Sequence, residues 1–220
     1  MVADGTKGIS STPSTQQTNL DDWKKMVEQR GAETLLAKGK WEGAKTVWNT
    51  TWKNMQTNWS NLLTAKNTFG VFFNNKVGLE TKQEDLIKEM NFAIRVAQDN
   101  ARKEARAQAL REGKTEDEAN EIANKAASTA GDNVRSDFMT KLTNASFKLT
   151  KLMPAFTEKQ DLLDVAQHEY SKSRLDNNGA QFDVSFYGRQ FADASKLELQ
   201  AEQNLAIAET VVGKNVDTNA

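Results

Sequence analysis

The single histidine of this 220-residue chain, His168, stands four residues after Asp164 and seven after Asp161. On a helix of 3.6 residues per turn the three share one face, and two carboxylates with an imidazole can ligate a metal. The set is thin. Carboxylate metal bundles use Glu-x-x-His twice, and the residue three before His168 is Val165. A solvated ion pair is the simpler reading, and no metal is expected. With one His and no Cys, Ser-His and Cys-His catalysis lack raw material. Gly5 with Gly8, and Gly39 with Gly43, lack both the spacing and the strand-then-helix setting of a phosphate loop. Carboxylate pairs lie on charged helical faces, and nothing selects a glycosidase-like pair. No catalytic residue and no cofactor is expected, and the chain does not read as an enzyme.

Two residue patterns point instead to association. Trp41, Trp48, Trp52 and Trp59 are spaced 7, 4 and 7, which places them within roughly 20° of one line along a helix. Such a stripe needs an apolar cover. It is either the core face of a bundle helix or an anchor for a partner chain, since Trp is a preferred interface residue. Its flank is Asn49, Thr50, Thr51, Asn54, Gln56, Thr57, Asn58, Ser60 and Asn61, polar but uncharged and poor in helix propensity. Packing must hold this helix. Phe72 and Phe73, in the apolar run 71–79, are the second candidate contact. Lys88, Arg95, Arg102 and Arg106 form a basic stripe that could track phosphates. Glu84, Glu104 and Glu112 dilute it, and nucleic acid is not an expected partner.

The elements that position these residues read as helices. Residues 1–19, rich in Ser, Thr, Gly and Gln, read as a disordered tail. A Trp-rich helical region follows over 20–79. Gly31 and Gly39 are expected to interrupt it, 67–70 to stop its Trp helix, and 71–79 to be a short strand, an apolar loop or a helical turn. Residues 80–220 read as a helical bundle. Capping boxes at Thr81, Thr115 and Thr157, each with its acidic or amide partner three residues on, predict three helix starts. Gly113, Gly131, Pro154, the Asp-Asn-Asn-Gly of 176–179 and Gly213 predict stops. Leu86, Met90, Ala93, Ile94, Ala97, Ala101, Ala105 and Leu110 mark one buried side. Val134, Phe138, Leu142, Ala145, Leu149 and Leu152 form a coiled-coil-like seam.

Composition agrees. Charged residues are 27% and apolar residues 38%, with only two Pro, which suits a helix-rich protein. Net charge is -1, so bulk charge gives no affinity for nucleic acid. Residues 1–79 carry ten basic and six acidic groups, net +4, leaving net -5 for 80–220. No apolar run approaches the ~20 residues of a membrane span. The first residues lack the basic-then-apolar pattern of a secretory signal. A virion, or export without such a signal, is favoured as the location over the plain cytoplasm.

The expected fold is all-α: an elongated antiparallel helical bundle of coiled-coil-like hairpins behind a disordered N-terminal tail, more than about 65% helical against a base rate near one-third. The expected function is non-enzymatic, a structural or interaction protein in a larger assembly. Small helical proteins of the phage virion, internal or ejected, share this character. So do proteins exported by type III secretion, which also begin with an unstructured Ser/Thr-rich tail. No motif here belongs to either group. The other expectation is a membrane-active helical protein, a pore former or translocator, working through the Trp/Lys region and Phe72-Phe73. Expected partners are proteins, including further copies of this chain; membrane contact stays open.

Overall fold

The computed structural model describes the backbone of residues 13–217 and the side chains of 19–211. It contains two α-helices, α1 (Pro13–Arg111, 99 residues) and α2 (Glu116–Asp217, 102 residues). They pack as a hairpin, and no strand occurs among the described residues. The all-α expectation holds. Residues 13–19, expected in the disordered tail, belong to α1; the rest of that tail, including Gly5 and Gly8, lies outside the described residues.

The chain divides into two compact units. One joins Met1–Asn58 to Tyr170–Ala220; the other is Trp59–Glu169. In the first, covered positions recur on α1 at steps of three and four: Leu20, Trp23, Val27, Arg30, Thr34, Ala37, Trp41, Ala44, Trp48, Thr51 and Met55. Opposite them α2 does the same with Tyr170, Ser173, Asn177, Ala180, Val184, Tyr187, Phe191 and Ala194. A mean step of 3.5 is the coiled-coil repeat, in which each covered side chain enters a hole in the facing helix. The pairing is antiparallel. Gly31 lies by Glu198, Trp41 by Phe191 and Thr51 by Asn177. Buried Ser173 and Asn177 put two polar residues in this seam; the Thr51 hydroxyl donates to Asn177 Oδ1 at 3.4 Å. A polar residue in a seam costs stability but favours one register.

In the second unit the same steps run through Leu62, Ala65, Phe69, Phe72, Lys76, Leu79, Gln83, Leu86 and Met90 on α1. The seam expected over 134–152 is covered on α2, with Ala145 fully buried. Near the hairpin end the step becomes four, and the covered residues become small: Ala101, Ala105 and Ala109, then Ala119, Ala123, Ala127 and Gly131. Ala109, Ala119, Ala123 and Ala127 are at most 2% exposed, whereas no large side chain among the described residues is so deeply buried. Two helices alone can bury alanines fully, but they leave larger side chains half in water.

The turn between the helices combines every stop and start signal. Gly113 takes a positive φ of 81°. Its N–H donates to Leu110 O at 3.1 Å, and Lys114 N–H donates to Ala109 O at 3.1 Å. This is the Schellman pattern, which satisfies the last carbonyls of a helix and favours glycine at the left-handed residue. The expected capping box then opens α2. Glu118 N–H donates to Thr115 Oγ1 at 3.3 Å, and Thr115 N–H donates to Glu118 Oε2 at 2.9 Å. Across the turn the Arg106 guanidinium pairs with Glu116 and reaches Asn120 Oδ1 at 3.0 Å.

The other expected breaks are corrected. Gly31, Gly39, 67–70, 71–79, Gly131, Pro154, 176–179 and Gly213 are all helical, and Thr81 and Thr157 sit inside helices instead of at their starts. The 71–79 segment is therefore not a loop, and the 79/80 boundary falls within α1. An interior Gly costs about 1 kcal/mol and an interior Pro about 3. Across Gly31, Gly39, 67–79, Pro154 and 176–179 the seam keeps its phase on both sides, so packed layers before and after outweigh one weak residue. Pro154 is exposed, where water can reach the carbonyl that its missing N–H leaves unbonded.

Candidate functional site

The four-Trp stripe divides between seam and surface. Trp41 and Trp48, seven residues apart, are half-buried seam residues of the first unit. Trp41 stacks on Phe191 with centroids 5.5 Å apart and planes at 16°. The Lys45 ammonium lies 4.4 Å from its ring centroid. Gly188 makes room for the indole: a Cβ there would lie 3.2 Å from Trp41 Nε1. Trp48 Nε1 is buried without a hydrogen-bond partner, an unfavourable state for an indole donor. Trp52 tilts against Trp48 at 6.3 Å but is 42% exposed, and Trp59 is 47% exposed. The cause is helical pitch. Against a seam repeating every 3.5 residues, the four-residue step from Trp48 to Trp52 leaves the covered line, and the next seven-residue step keeps Trp59 off it.

Phe72 and Phe73 also part company. Phe72 is a half-buried seam residue of the second unit, while Phe73 is 47% exposed. Phe73 leans on Phe69 at 6.0 Å, and Phe69 meets Phe156 at 5.4 Å. The Lys76 ammonium lies 5.6 Å from the Phe156 ring and 2.7 Å from Glu80 Oε1.

Phe73 belongs to a second row on α1, beside the seam. Trp59, Leu63, Phe73, Val77 and Ile87 are all 41–47% exposed. With Lys66, Gly70, Glu80 and Glu84 between them, the row steps by four and three from 59 to 87. On α2 the same side carries Met139 and Met153, 51% and 37% exposed. They stand seven residues on either side of Ser146, whose hydroxyl accepts a hydrogen bond from the Gln83 amide at 2.8 Å. The sequence reading missed this row because it assigned one apolar face to each helix. The signal was present as a second four-three repeat, offset from the first.

The groups weighed for chemistry stay apart. Asp161, Asp164 and His168 are all exposed, and no cluster of three or more His, Cys, Asp or Glu able to hold a metal occurs among the described residues. Gly39 and Gly43 are helical, so their amides cannot cradle a phosphate. Within the basic stripe Lys88 pairs with Asp85, Arg102 with Asp99 and Arg106 with Glu116. Surface grooves line the second unit. One of about 400 Å³ has Lys82, Lys141 and Lys148 over Leu79 and Leu86. One of about 570 Å³ adds Lys151 beside Asn74 and Asn75. Another, of about 430 Å³, has Asn61, Thr64 and Thr68 together with Lys159, Leu162, Val165 and Glu169.

Among the described residues, Glu33 and Glu118 are shifted in acidity. Hydrogen bonds from Arg30, then Gln29, hold Glu33 below its ordinary value. The Thr115 N–H and then its hydroxyl do the same for Glu118. Both shifts belong to helix geometry, one to a turn of α1 and one to the α2 cap. No helix among the described residues is long and apolar enough to cross a membrane. No family model, no curated protein and no solved structure matches the chain.

Proposed function

We propose that this chain is a non-enzymatic coiled-coil protein that acts by helix-to-helix association in a larger assembly, in the manner of an internal or ejected component of a phage virion. One observation carries the reading: a row of large apolar side chains stays in water beside a seam that is already filled. A single exposed Leu or Phe is ordinary, whereas an aligned set of them marks an interaction surface. The uncharged Asn/Thr flank of α1 supports the same reading, because such groups are cheaper to desolvate than charges. Export by a type III apparatus, with assembly afterwards, is the alternative within this class.

Size-exclusion chromatography with light scattering, with Trp emission read on the same fractions, tests it. A discrete oligomer whose Trp emission is blue-shifted relative to the dilute chain is the expected result. A chain that stays monomeric at every concentration, and adds nothing to vesicles, overturns it. Leakage of anionic vesicles with a Trp blue shift on binding replaces it with the membrane-active reading.

A further inference from the structure

We infer that the exposed row on α1 of the second unit is the contact face for a second copy of this chain, joined antiparallel about a two-fold axis between Phe73 and Val77. The inference rests on the assembly reading above and names its partner. Reversing the row against itself brings Phe73 onto Val77, Leu63 onto Ile87 and Lys66 onto Glu84, each contact made twice as two-fold symmetry requires. Glu80 falls opposite Gly70, where no side chain competes for space. A parallel alignment would instead set Lys66 against Lys66 and Glu84 against Glu84, and like charges across an interface are costly. The row is thus self-complementary in one direction only.

Area supports a second copy as the occupant. Leu63, Phe73, Val77, Ile87, Met139 and Met153 are each 37–51% exposed. Together they leave roughly 500 Å² of apolar side chain in water on each copy, given full areas of about 150–250 Å² for large side chains. Two copies would cover up to about 1,000 Å² of apolar surface before the polar rim is counted, which is where stable biological interfaces begin. Two hairpins so joined would form a four-helix arrangement with the α1 rows in its centre. The thioether side chains of Met139 and Met153 suit the edge of that contact, since Met adapts its shape to irregular gaps.

Sedimentation velocity of the full chain over a concentration series, with circular dichroism to verify folding, decides the matter. The wild-type chain of 24.5 kDa is expected to sediment as a dimer. Lys66→Glu and Glu84→Lys should each raise the dissociation constant about tenfold or more, and the double variant should return it to within about threefold of wild type. Phe73→Asp should yield a folded monomer. A dimer indifferent to all of these substitutions overturns this contact face and leaves the assembly reading standing. A chain monomeric at every concentration overturns this inference, and with inertness toward vesicles it overturns the assembly reading too.

Discussion

Trp41, Phe191 and Gly188 show how one missing side chain fixes the place of a large one. A methyl at Gly188 would press the Trp41 indole at 3.2 Å, and the same ring is already stacked on Phe191. At Gly43, also helical, an added methyl meets nothing within 4 Å. Thermal unfolding should therefore separate two chemically identical changes. Gly43→Ala should stabilise by about 0.5–1 kcal/mol, the ordinary helix gain, and Gly188→Ala should lose that gain or reverse it. At this scale the sequence was half legible. The four-Trp stripe was readable as a face that needs covering, but not which of its members the seam would take. Trp52 and Trp59 were not separable from Trp41 and Trp48, because a straight-helix wheel aligns all four and only the 3.5-residue seam pulls them apart. The Asn/Thr flank was legible as a weak helix former. Thr50 and Thr57 in it turn their hydroxyls back onto carbonyls four residues earlier, which satisfies the hydroxyls without strengthening the helix, so the seam packing has to hold it.

At the scale of elements, periodicity was legible and punctuation was not. Of the stops in the sequence, only Gly113 ends a helix, and of three capping boxes only Thr115 starts one. Each isolated signal is worth about 1 kcal/mol, or about 3 for the proline, less than the layers on either side of it. The turn succeeds because it stacks a left-handed glycine, a satisfied helix end and a reciprocal cap. Thr115→Ala should cost about 1 kcal/mol in chemical denaturation. The cap also predicts a pH dependence. Glu118 is held below the ordinary glutamate value of 4.5 in the folded chain, so the unfolded chain binds the proton more readily. The cap's stabilisation is complete above the unfolded value and fades as pH falls through the folded one. Stability should drop on acidification in wild type, and Glu118→Gln should flatten its share of that slope. Pro154 makes a converse case. It sits in an unbroken helix against its own preference, so Pro154→Ala should stabilise by up to about 3 kcal/mol with no change in fold.

For the molecule as a whole, composition and scarce proline announced an all-helical chain correctly, and the antiparallel pairing of coiled-coil-like seams was foreseen. The number of helices was overestimated because each glycine or proline was counted as an end. The second apolar row escaped notice for a related reason: a seam is expected to use up a helix's apolar residues, and here it does not. If copies associate through that row, unfolding is coupled to dissociation. The thermal midpoint should then rise with protein concentration, as mass action requires, and Phe73→Asp should abolish that rise.

Antiparallel pairing also has a mechanical consequence. Leu20, near the start of α1, and Leu205, near the end of α2, belong to the same compact unit. Tension applied to the two chain ends therefore peels the seam instead of shearing it. Each pair of facing layers bears the load alone, releases its own few contacts and passes the load on. The force needed is set by one layer at a time, however many layers there are, whereas the same contacts in shear would have to fail together. Pulled at Leu20 and Leu205, the seam of the first unit would therefore open from that end one layer at a time, at a low and nearly constant force.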